Sequence, residues 1–124
     1  MPLIHPTATV SKEAELADDV QIGPYCVLLG KVRLGRGVRL IGNNYVNGPT
    51  VIGDGTILWP FACIGFEPQD YKFGPGAATA GVVIGAGCLI REHATVHAAT
   101  SVDKPTVVGD KCFLMVNTHV AHDA

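Results

Sequence analysis

The sequence has little of what marks several common protein classes. Of its 124 residues, 6% are aromatic and 16% charged, and the net charge is −2 with acids and bases interspersed. No basic face therefore indicates nucleic-acid binding. No apolar run approaches a membrane span, and the amino terminus lacks the charged and apolar regions of a signal peptide. We expect a cytoplasmic protein that is not integral to a membrane.

What the sequence has instead is an aliphatic residue at every sixth position. This six-residue periodicity, which we call the beat, runs from Ile4 to Ile64 and is lost over a Gly- and Pro-rich segment. It resumes two residues out of phase and runs from Ile84 to Val120. A helix needs apolar residues three and four positions apart, and a simple strand needs uninterrupted alternation. Six residues can form a short strand and a turn, with the aliphatic residue and a small residue four positions later pointing inward. The period predicts a solenoid of hexapeptide repeats.

The repeat predicts an all-β fold, a parallel β-helix. Three repeats close a triangular coil, so eighteen repeats give about six coils. Left-handed winding is implied by resemblance to other hexapeptide proteins, which depart from the usual crossover rule. We expect a single domain over residues 1–124, and we expect the second part of the beat to continue unbroken through Val96, Val102 and Val108.

One segment, about residues 66–82, interrupts the beat where a corner should be. This predicts a loop extruded from the β-helix, and function in a repeat scaffold tends to lie where the repeat is broken. In this loop Asp70 and Lys72 stand beside Tyr71 and Phe73, a mixture suited to holding a polar ligand. A loop that only contacts a neighbouring subunit is the alternative.

Four of the five histidines follow residue 92. The register places His97, Asn117 and His119 at the edge from which the loop leaves, within two coil spacings, or about 10 Å. His122 is expected at the end of the same short strand as His119. Imidazole is a common metal ligand, but no third ligand is placed beside any two of these residues, so no metal is expected. We favour a general base: a neutral His122 can take a hydroxyl proton, and the adjacent Asp123 can fix its tautomer.

The four cysteines show no C-x-x-C spacing. Cys26, Cys88 and Cys112 fall at the small inward position, where a thiol behaves as a small hydrophobe. Cys63 falls one step later and is expected to face outward. The cysteines are therefore interpreted as structural.

Several blocks of the sequence are more specific than the beat. They are Ile22-Gly23-Pro24-Tyr25-Cys26, Pro68-Gln69-Asp70-Tyr71-Lys72, Ile90-Arg91-Glu92 and the run from Leu114 to Asp123. With these blocks, essentially the whole chain resembles the amino-terminal part of the UDP-N-acetylglucosamine O-acyltransferases that begin lipid A synthesis. After His97 the family usually has Arg-Gly-Thr and a glycine-rich bulge. Here His97-Ala98-Ala99-Thr100 is read as keeping the beat without a bulge, so a basic contact is expected to be missing.

The resemblance implies an enzyme that moves a (hydroxy)acyl chain from acyl carrier protein to the 3-hydroxyl of UDP-N-acetylglucosamine or a close UDP-sugar. It implies that His122 is the catalytic base and that Asp123 orients it. The carrier-protein thioester is the co-substrate, and no cofactor is implied. The residues implied in substrate binding are Gln69, Asp70, Lys72, His97 and His119.

The resemblance also implies a homotrimer with sites between neighbouring prisms. The last repeats, with Leu114 and Val120, are as apolar as interior ones, so the carboxy-terminal face is not expected to stay bare. It is expected to be covered by a second molecule stacked end to end, by further chain or by crystal contacts. Two other interpretations stay open. One is a truncated, catalytically weak or inactive relative that binds a nucleotide sugar, and the other is a purely structural trimeric prism.

Overall fold

The computed structural model describes residues 1–69 and 77–124. All regular structure in these ranges is short β-strand, as the six-residue period predicts, and none of them forms a helix. The strands in chain order are β1 Leu3–Ile4, β2 Thr9–Val10, β3 Glu15–Leu16, β4 Gln21–Ile22, β5 Val27–Leu29, β6 Val32–Leu34, β7 Arg39–Leu40, β8 Tyr45–Asn47, β9 Thr50–Ile52, β10 Ile57–Leu58, β11 Cys63–Phe66, β12 Val82–Ile84, β13 Leu89–Ile90, β14 Thr95–His97, β15 Thr106–Val108, β16 Phe113–Leu114 and β17 His119–Val120.

Each strand pairs in parallel with the third strand before and after it. The pairing gives three sheets, in the orders β1-β4-β7-β10-β13-β16, β2-β5-β8-β11-β14-β17 and β3-β6-β9-β12-β15. The aliphatic residues of the beat lie directly opposite one another, as Leu58 does with Ile90 and Leu16 with Leu34. The three sheets are the walls of a triangular prism. The chain is a left-handed parallel β-helix, as predicted.

The core is a column of inward-pointing side chains. Aliphatic residues of the beat such as Leu28, Leu58 and Ile64 have no exposed surface, and the small inward residues Cys26 and Ala62 are equally buried. Burial of this kind stabilises a fold by about 25 cal/mol per Å² of apolar surface. The column is therefore the main source of stability.

A buried polar residue, Asn44, is fully paired inside this column. Its amide donates to the carbonyls of Trp59 at 2.7 Å and Ala62 at 3.2 Å, and its Oδ1 accepts the Gly42 N–H at 3.2 Å. Because all three partners are backbone groups of corners, Asn44 ties two coils together without leaving an unsatisfied polar group.

One corner of the prism repeats the same strained conformation in successive coils. Three residues before the inward aliphatic residue of β5, β8, β11, β14 and β17, the backbone takes a positive φ of between 52° and 68°. This is the left-handed region, which non-glycine residues seldom adopt. The residues are Tyr25, Asn43, Phe61, His93 and Asn117.

The long segment of chain between β11 and β12 we call the first excursion, residues 67–81. Of it the structure describes 67–69 and 77–81. Gly65 and Gly81 stand at its two ends with φ of 89° and 76°, and at each a Cβ atom would collide with a carbonyl oxygen of the preceding coil, that of Asn47 or Pro49. The chain thus leaves and rejoins the prism where only glycine fits. The loop boundaries of about 66–82 and the assignment of 1–124 to one domain stay predictions.

The expectation that the beat runs unbroken through Val102 is wrong. Val96 pairs with Ile64 and Val108 with Ile84, whereas Val102 lies in no strand and is 61% exposed. The Ala99 and Thr106 N–H groups both donate to the Gly81 carbonyl, at 3.2 and 3.0 Å. The chain therefore departs from the prism after Ala99 and returns at Thr106.

Residues 100–105 form this second excursion, where one extruded loop was expected. Because this insertion has the length of one repeat, it leaves the phase of the beat unchanged. Counting aliphatic residues at every sixth position therefore cannot detect it. Residues 1–69 and 77–124 consequently form 17 strands, where eighteen repeats were expected.

The first and the last coil are less covered than the coils between them. Leu114 and Val120 are half-buried, and Met115 and Val116 are 67% and 52% exposed. Stacking of molecules through the last coil stays a prediction. No helix in the described ranges is long and apolar enough to cross a membrane.

Candidate functional site

The outer face of the second sheet carries one histidine in each of its last two strands, β14 and β17. Thr95 of β14 lies opposite His119 of β17, and Val96 lies opposite Val120. Since side chains alternate along a strand, Thr95, His97 and His119 all project outward while the valines enter the core. The His97 and His119 rings meet edge to face, with centroids 4.8 Å apart, and His119 Nδ1 shares a hydrogen bond of 2.9 Å with Thr95 Oγ1.

His97 is half-buried although it lies on an outer face. Burial lowers the pKa of His97, and the nearby charges of His119 and His122 lower it further, while Glu67 opposes them. The imidazole is therefore neutral at neutral pH. Its Nδ1 is buried and has no hydrogen-bond partner among the residues that the structure describes. A neutral ring with an unpaired nitrogen can donate to or accept from a bound polar group.

Asp123 follows His122 at the next corner, with φ of 63°. Its carboxylate accepts two hydrogen bonds from Thr100, one from the backbone N–H at 2.9 Å and one from the hydroxyl at 2.6 Å. The Asp123 N–H in turn donates to Thr106 Oγ1 at 3.0 Å. The hydroxyl bond is the main reason that the pKa of Asp123 lies below its ordinary value, and the charge of His122 acts in the same direction.

The structure thus places an ionised carboxylate next in sequence to the half-buried His122. Both carboxylate oxygens bond Thr100, and within the described ranges no hydrogen bond joins Asp123 to the His122 ring. The carboxylate can still stabilise positive charge on that ring electrostatically. That Asp123 orients His122 stays a prediction.

The predicted loop residues are only partly described. Gln69 is exposed, and Asp70 and Lys72 lie outside the described residues. Glu67, at the start of the first excursion, is close enough to His97 to act on its charge. Sequence reasoning missed Glu67, although its place beside the base of the loop was a usable signal.

The two excursions are hydrogen-bonded to each other. The Thr79 hydroxyl donates to the Ala99 carbonyl, and the Ala80 N–H donates to the Ser101 carbonyl at 2.7 Å. The Ala98 N–H reaches back to the Phe66 carbonyl at 2.8 Å. The returning end of the first excursion is thereby fixed against the chain that carries Thr100. Sequence reasoning missed this role of Thr100, because the segment was read as a regular repeat.

Two surface depressions of the described residues bear on where a ligand could bind, and neither is lined by His97, His119 or His122. One of about 490 Å³ lies on the outer face of the third sheet and is lined by Glu15, Arg33, Val51 and Val83 among others. A smaller one of about 350 Å³ lies between the excursion ends, lined in part by Glu67, Thr79 and Ala98. The smaller depression adjoins the candidate site, since it is lined by Glu67, whose charge acts on His97.

The four cysteines are free thiols. Cys26 and Cys88 are buried, and Cys63 and Cys112 are half-buried. Burial raises the pKa of Cys26 and of Cys63, so both remain protonated at neutral pH and are poor nucleophiles. Within 1–69 and 77–124, no three His, Cys, Asp or Glu side chains are arranged to hold a metal ion.

The stacked coils, the six-residue beat and the histidine-bearing edge define a hexapeptide-repeat protein, and comparison with known proteins narrows that class. No family model matches the sequence. The chain is 46% identical over 121 residues to the acyl-[acyl-carrier-protein]–UDP-N-acetylglucosamine O-acyltransferase of Thermodesulfovibrio yellowstonii, and the match covers 97% of this chain and 46% of the relative.

Solved structures agree with this comparison. The structure of LpxA from Acinetobacter baumannii matches with a TM-score of 0.91 and 43% identity, covering 98% of this chain and 46% of that one. The UDP-N-acetylglucosamine acyltransferase of Francisella novicida matches with a TM-score of 0.92 and 35% identity, over 98% and 44% of the two chains.

The chain is similar over nearly its whole length to the amino-terminal part of the UDP-N-acetylglucosamine O-acyltransferases, as its motifs predicted. It spans less than half the length of the curated relatives it matches.

Proposed function

We propose that this protein catalyses acyl transfer from acyl carrier protein to the 3-hydroxyl of UDP-N-acetylglucosamine, the first step of lipid A synthesis, with His122 as general base. The observation that carries the proposal is the cluster of His97, His119 and His122 beside the ionised Asp123. It occurs in a chain whose relatives bear the name of that reaction. Gln69, Asp70, Lys72, His97 and His119 are the proposed substrate-binding residues.

The proposed reaction needs only one proton carrier. Neutral His122 takes the proton of the sugar hydroxyl as its oxygen attacks the thioester carbonyl, forming the new carbon–oxygen bond. The tetrahedral intermediate then collapses, the carbon–sulfur bond breaks, and the imidazolium returns the proton to the carrier thiolate. The Asp123 carboxylate, held ionised by Thr100, stabilises the imidazolium between the two transfers. Neither a covalent enzyme intermediate nor a cofactor enters this scheme.

We propose in addition that the active form is a cytoplasmic homotrimer. The outer face of the third sheet supports a subunit contact, since Val51 and Val107 expose 41% and 52% of their surface there and apolar patches of this kind favour association. Sedimentation velocity measures the assembly. A single species of three chains is expected, and a concentration-independent monomer would contradict the trimer. Larger species would indicate end-to-end stacking.

The function is tested by acyl transfer from acyl carrier protein to UDP-N-acetylglucosamine. We expect His122→Ala to lower kcat by about a hundredfold or more, the usual worth of a general base. The matched control is His5→Ala. His5 is an exposed histidine of the first coil whose ring bonds Thr7, two residues further along, so this variant should keep the wild-type rate.

An undiminished rate in His122→Ala would remove the base from the mechanism. Absence of transfer by the wild-type protein would contradict the proposed function as a whole. Calorimetric titration with UDP-N-acetylglucosamine would then separate a nucleotide-sugar binder from a structural prism.

A further inference from the structure

Thr100 is the first residue of the second excursion, and it is exposed. Its hydroxyl and backbone N–H nevertheless both donate to one group of the next coil, the Asp123 carboxylate, at 2.6 and 2.9 Å. We propose that Thr100 is a positioning residue, which fixes the Asp123 carboxylate and through it the negative charge beside the base His122. This inference rests on the acyl-transfer function proposed above.

Asp123 differs from the other aspartates that join neighbouring coils. Asp19, Asp54 and Asp110 each accept a single backbone N–H of an adjacent coil, from Gly37, Arg36 and Ala86 respectively, all at 2.8 Å. Each uses one oxygen, which is enough to satisfy a corner amide. These three are structural corner aspartates.

Asp123 accepts with both oxygens, and one of its donors is a hydroxyl. Two donors on two oxygens prevent the carboxylate from rotating about its Cβ–Cγ bond. The hydroxyl bond also has the short length expected of a charge-assisted O–H···O⁻ bond. A corner amide alone would not require this second bond, which therefore indicates a need to hold the carboxylate in one orientation.

Thr100 can hold Asp123 only because its own backbone is fixed. On one side Ala99 donates to the Gly81 carbonyl and accepts from the Thr79 hydroxyl. On the other side Ser101 accepts the Ala80 N–H. The residue between them is thus anchored to the returning end of the first excursion, so its two donors have defined directions.

Asp123 is also held by the residue that follows the second excursion. Its N–H donates to the hydroxyl of Thr106, the residue at which the chain rejoins the prism. Thr100 orients the side chain, and Thr106 fixes the backbone. The first residue of the second excursion therefore holds the carboxylate, and the first residue of β15 holds the main chain. Of the two, Thr100 is the one that contacts the charged group.

The first test changes the hydroxyl while keeping the shape of the side chain. In Thr100→Val the hydroxyl bond is lost and the backbone bond stays. We expect kcat to fall about tenfold, the usual loss for a hydrogen bond to a charged group, and KM for UDP-N-acetylglucosamine to stay within about twofold because only the base is affected. Thr100→Ser should restore most of kcat.

The matched control is Thr7→Val. The Thr7 hydroxyl likewise bonds across coils, accepting the Tyr25 N–H at 3.0 Å, but in the first coil. It should leave kcat unchanged. In an Asp123→Asn background, Thr100→Val should lower kcat little further, since residues that act through one another are not additive. A full tenfold loss in that background would overturn the proposal, as would an unchanged kcat in the single variant.

A measurement that needs no activity separates the two proposals. Carboxyl-carbon NMR follows the titration of Asp123, whose pKa is held low chiefly by the Thr100 hydroxyl. In Thr100→Val the midpoint of the Asp123 titration should rise toward the ordinary pKa of an aspartate, and in Thr100→Ser it should not. Failure of acyl transfer in the wild type, with this shift present, would count against the proposed function alone. An unmoved midpoint would contradict the contact on which the positioning role depends.

Discussion

At the scale of single residues, the direction in which a side chain points decides what it can do at this edge. Thr95, His97 and His119 leave the outer face of the same sheet, and their rings and hydroxyl contact one another across the gap between two coils. Contact with these neighbours buries part of His97 and disfavours its charged form. Contact with a neighbouring side chain also keeps Asp123 charged, since the Thr100 hydroxyl bonds the ionised form.

The lowered pKa of His97 predicts a dependence of stability on pH. The unfolded chain binds a proton at His97 at higher pH than the folded chain does, so folded stability should fall as pH drops below about 6.5. We expect the loss of unfolding free energy between about pH 7.5 and pH 5.5 to be smaller in His97→Gln. Urea denaturation at the two pH values measures it.

His5→Gln serves as the control for this comparison, because His5 is exposed in the first coil. It should show the wild-type loss. An equal loss in His97→Gln would contradict the assignment of the pH dependence to His97.

At the scale of elements, the two excursions leave and rejoin the prism at different backbone groups. The first leaves and returns over the carbonyls of Asn47 and Pro49, through Gly65 and Gly81. The second leaves and returns at a single acceptor, the Gly81 carbonyl, which takes the N–H groups of Ala99 and Thr106. Gly81 is thus the point on which both excursions depend.

Replacing Gly81 should show how closely the chain approaches itself there. Gly81→Ala places a methyl group against the Pro49 carbonyl and keeps φ at 76°, so we expect it to lower the free energy of unfolding by about 3 kcal/mol or more. Gly55→Ala is the matched control. Its φ is 73°, but nothing lies within 4 Å of the added Cβ, so it should cost about 1 kcal/mol.

Urea unfolding at one pH compares the two variants. Equal losses would mean that backbone strain alone acts at Gly81, and that the close approach to Pro49 can relax.

At the scale of the whole molecule, the number of coils depends on backbone pairing as well as on hydrophobic spacing. Val96 and Val108 are 0% and 6% exposed, and Val102, midway between them in the beat, is 61% exposed. The three side chains are identical, so hydrophobicity cannot separate them. What separates them is that Val96 and Val108 lie in strands that pair with the preceding coil.

A charge placed at Val102 or at Val108 distinguishes an excursion at residues 100–105 from a regular repeat there. Val102→Asp should change the free energy of unfolding by no more than about 0.5 kcal/mol, as surface substitutions do. Val108→Asp, its control, buries an unpaired charge and should cost about 3 kcal/mol or more or prevent folding. Circular dichroism during thermal unfolding measures both. A Val102→Asp variant as unstable as Val108→Asp would restore the regular repeat at residues 100–105.

The sequence alone determined the β-helix, its parallel sheets and the place of the first excursion. Each repeat forms a short strand and a corner that pack on the nearest coil, so a local period is enough to specify the global fold. The sequence also predicted that His97 and His119 meet, because a fixed coil length converts register into spatial position. The first excursion was visible because it shifts the phase of the beat by two residues, from Ile64 to Ile84.

Only the tertiary structure decided the second excursion and what it does. An insertion of one whole repeat leaves the phase intact, so Val102 reads as a core residue until the Ala99 and Thr106 N–H groups are seen to share one acceptor. The bonds from Thr100 to Asp123 depend on that detour, as does the contact that fixes the first excursion against it. These features join residues about 20 positions apart through irregular backbone, where no period carries information and side-chain hydrogen bonds decide the geometry.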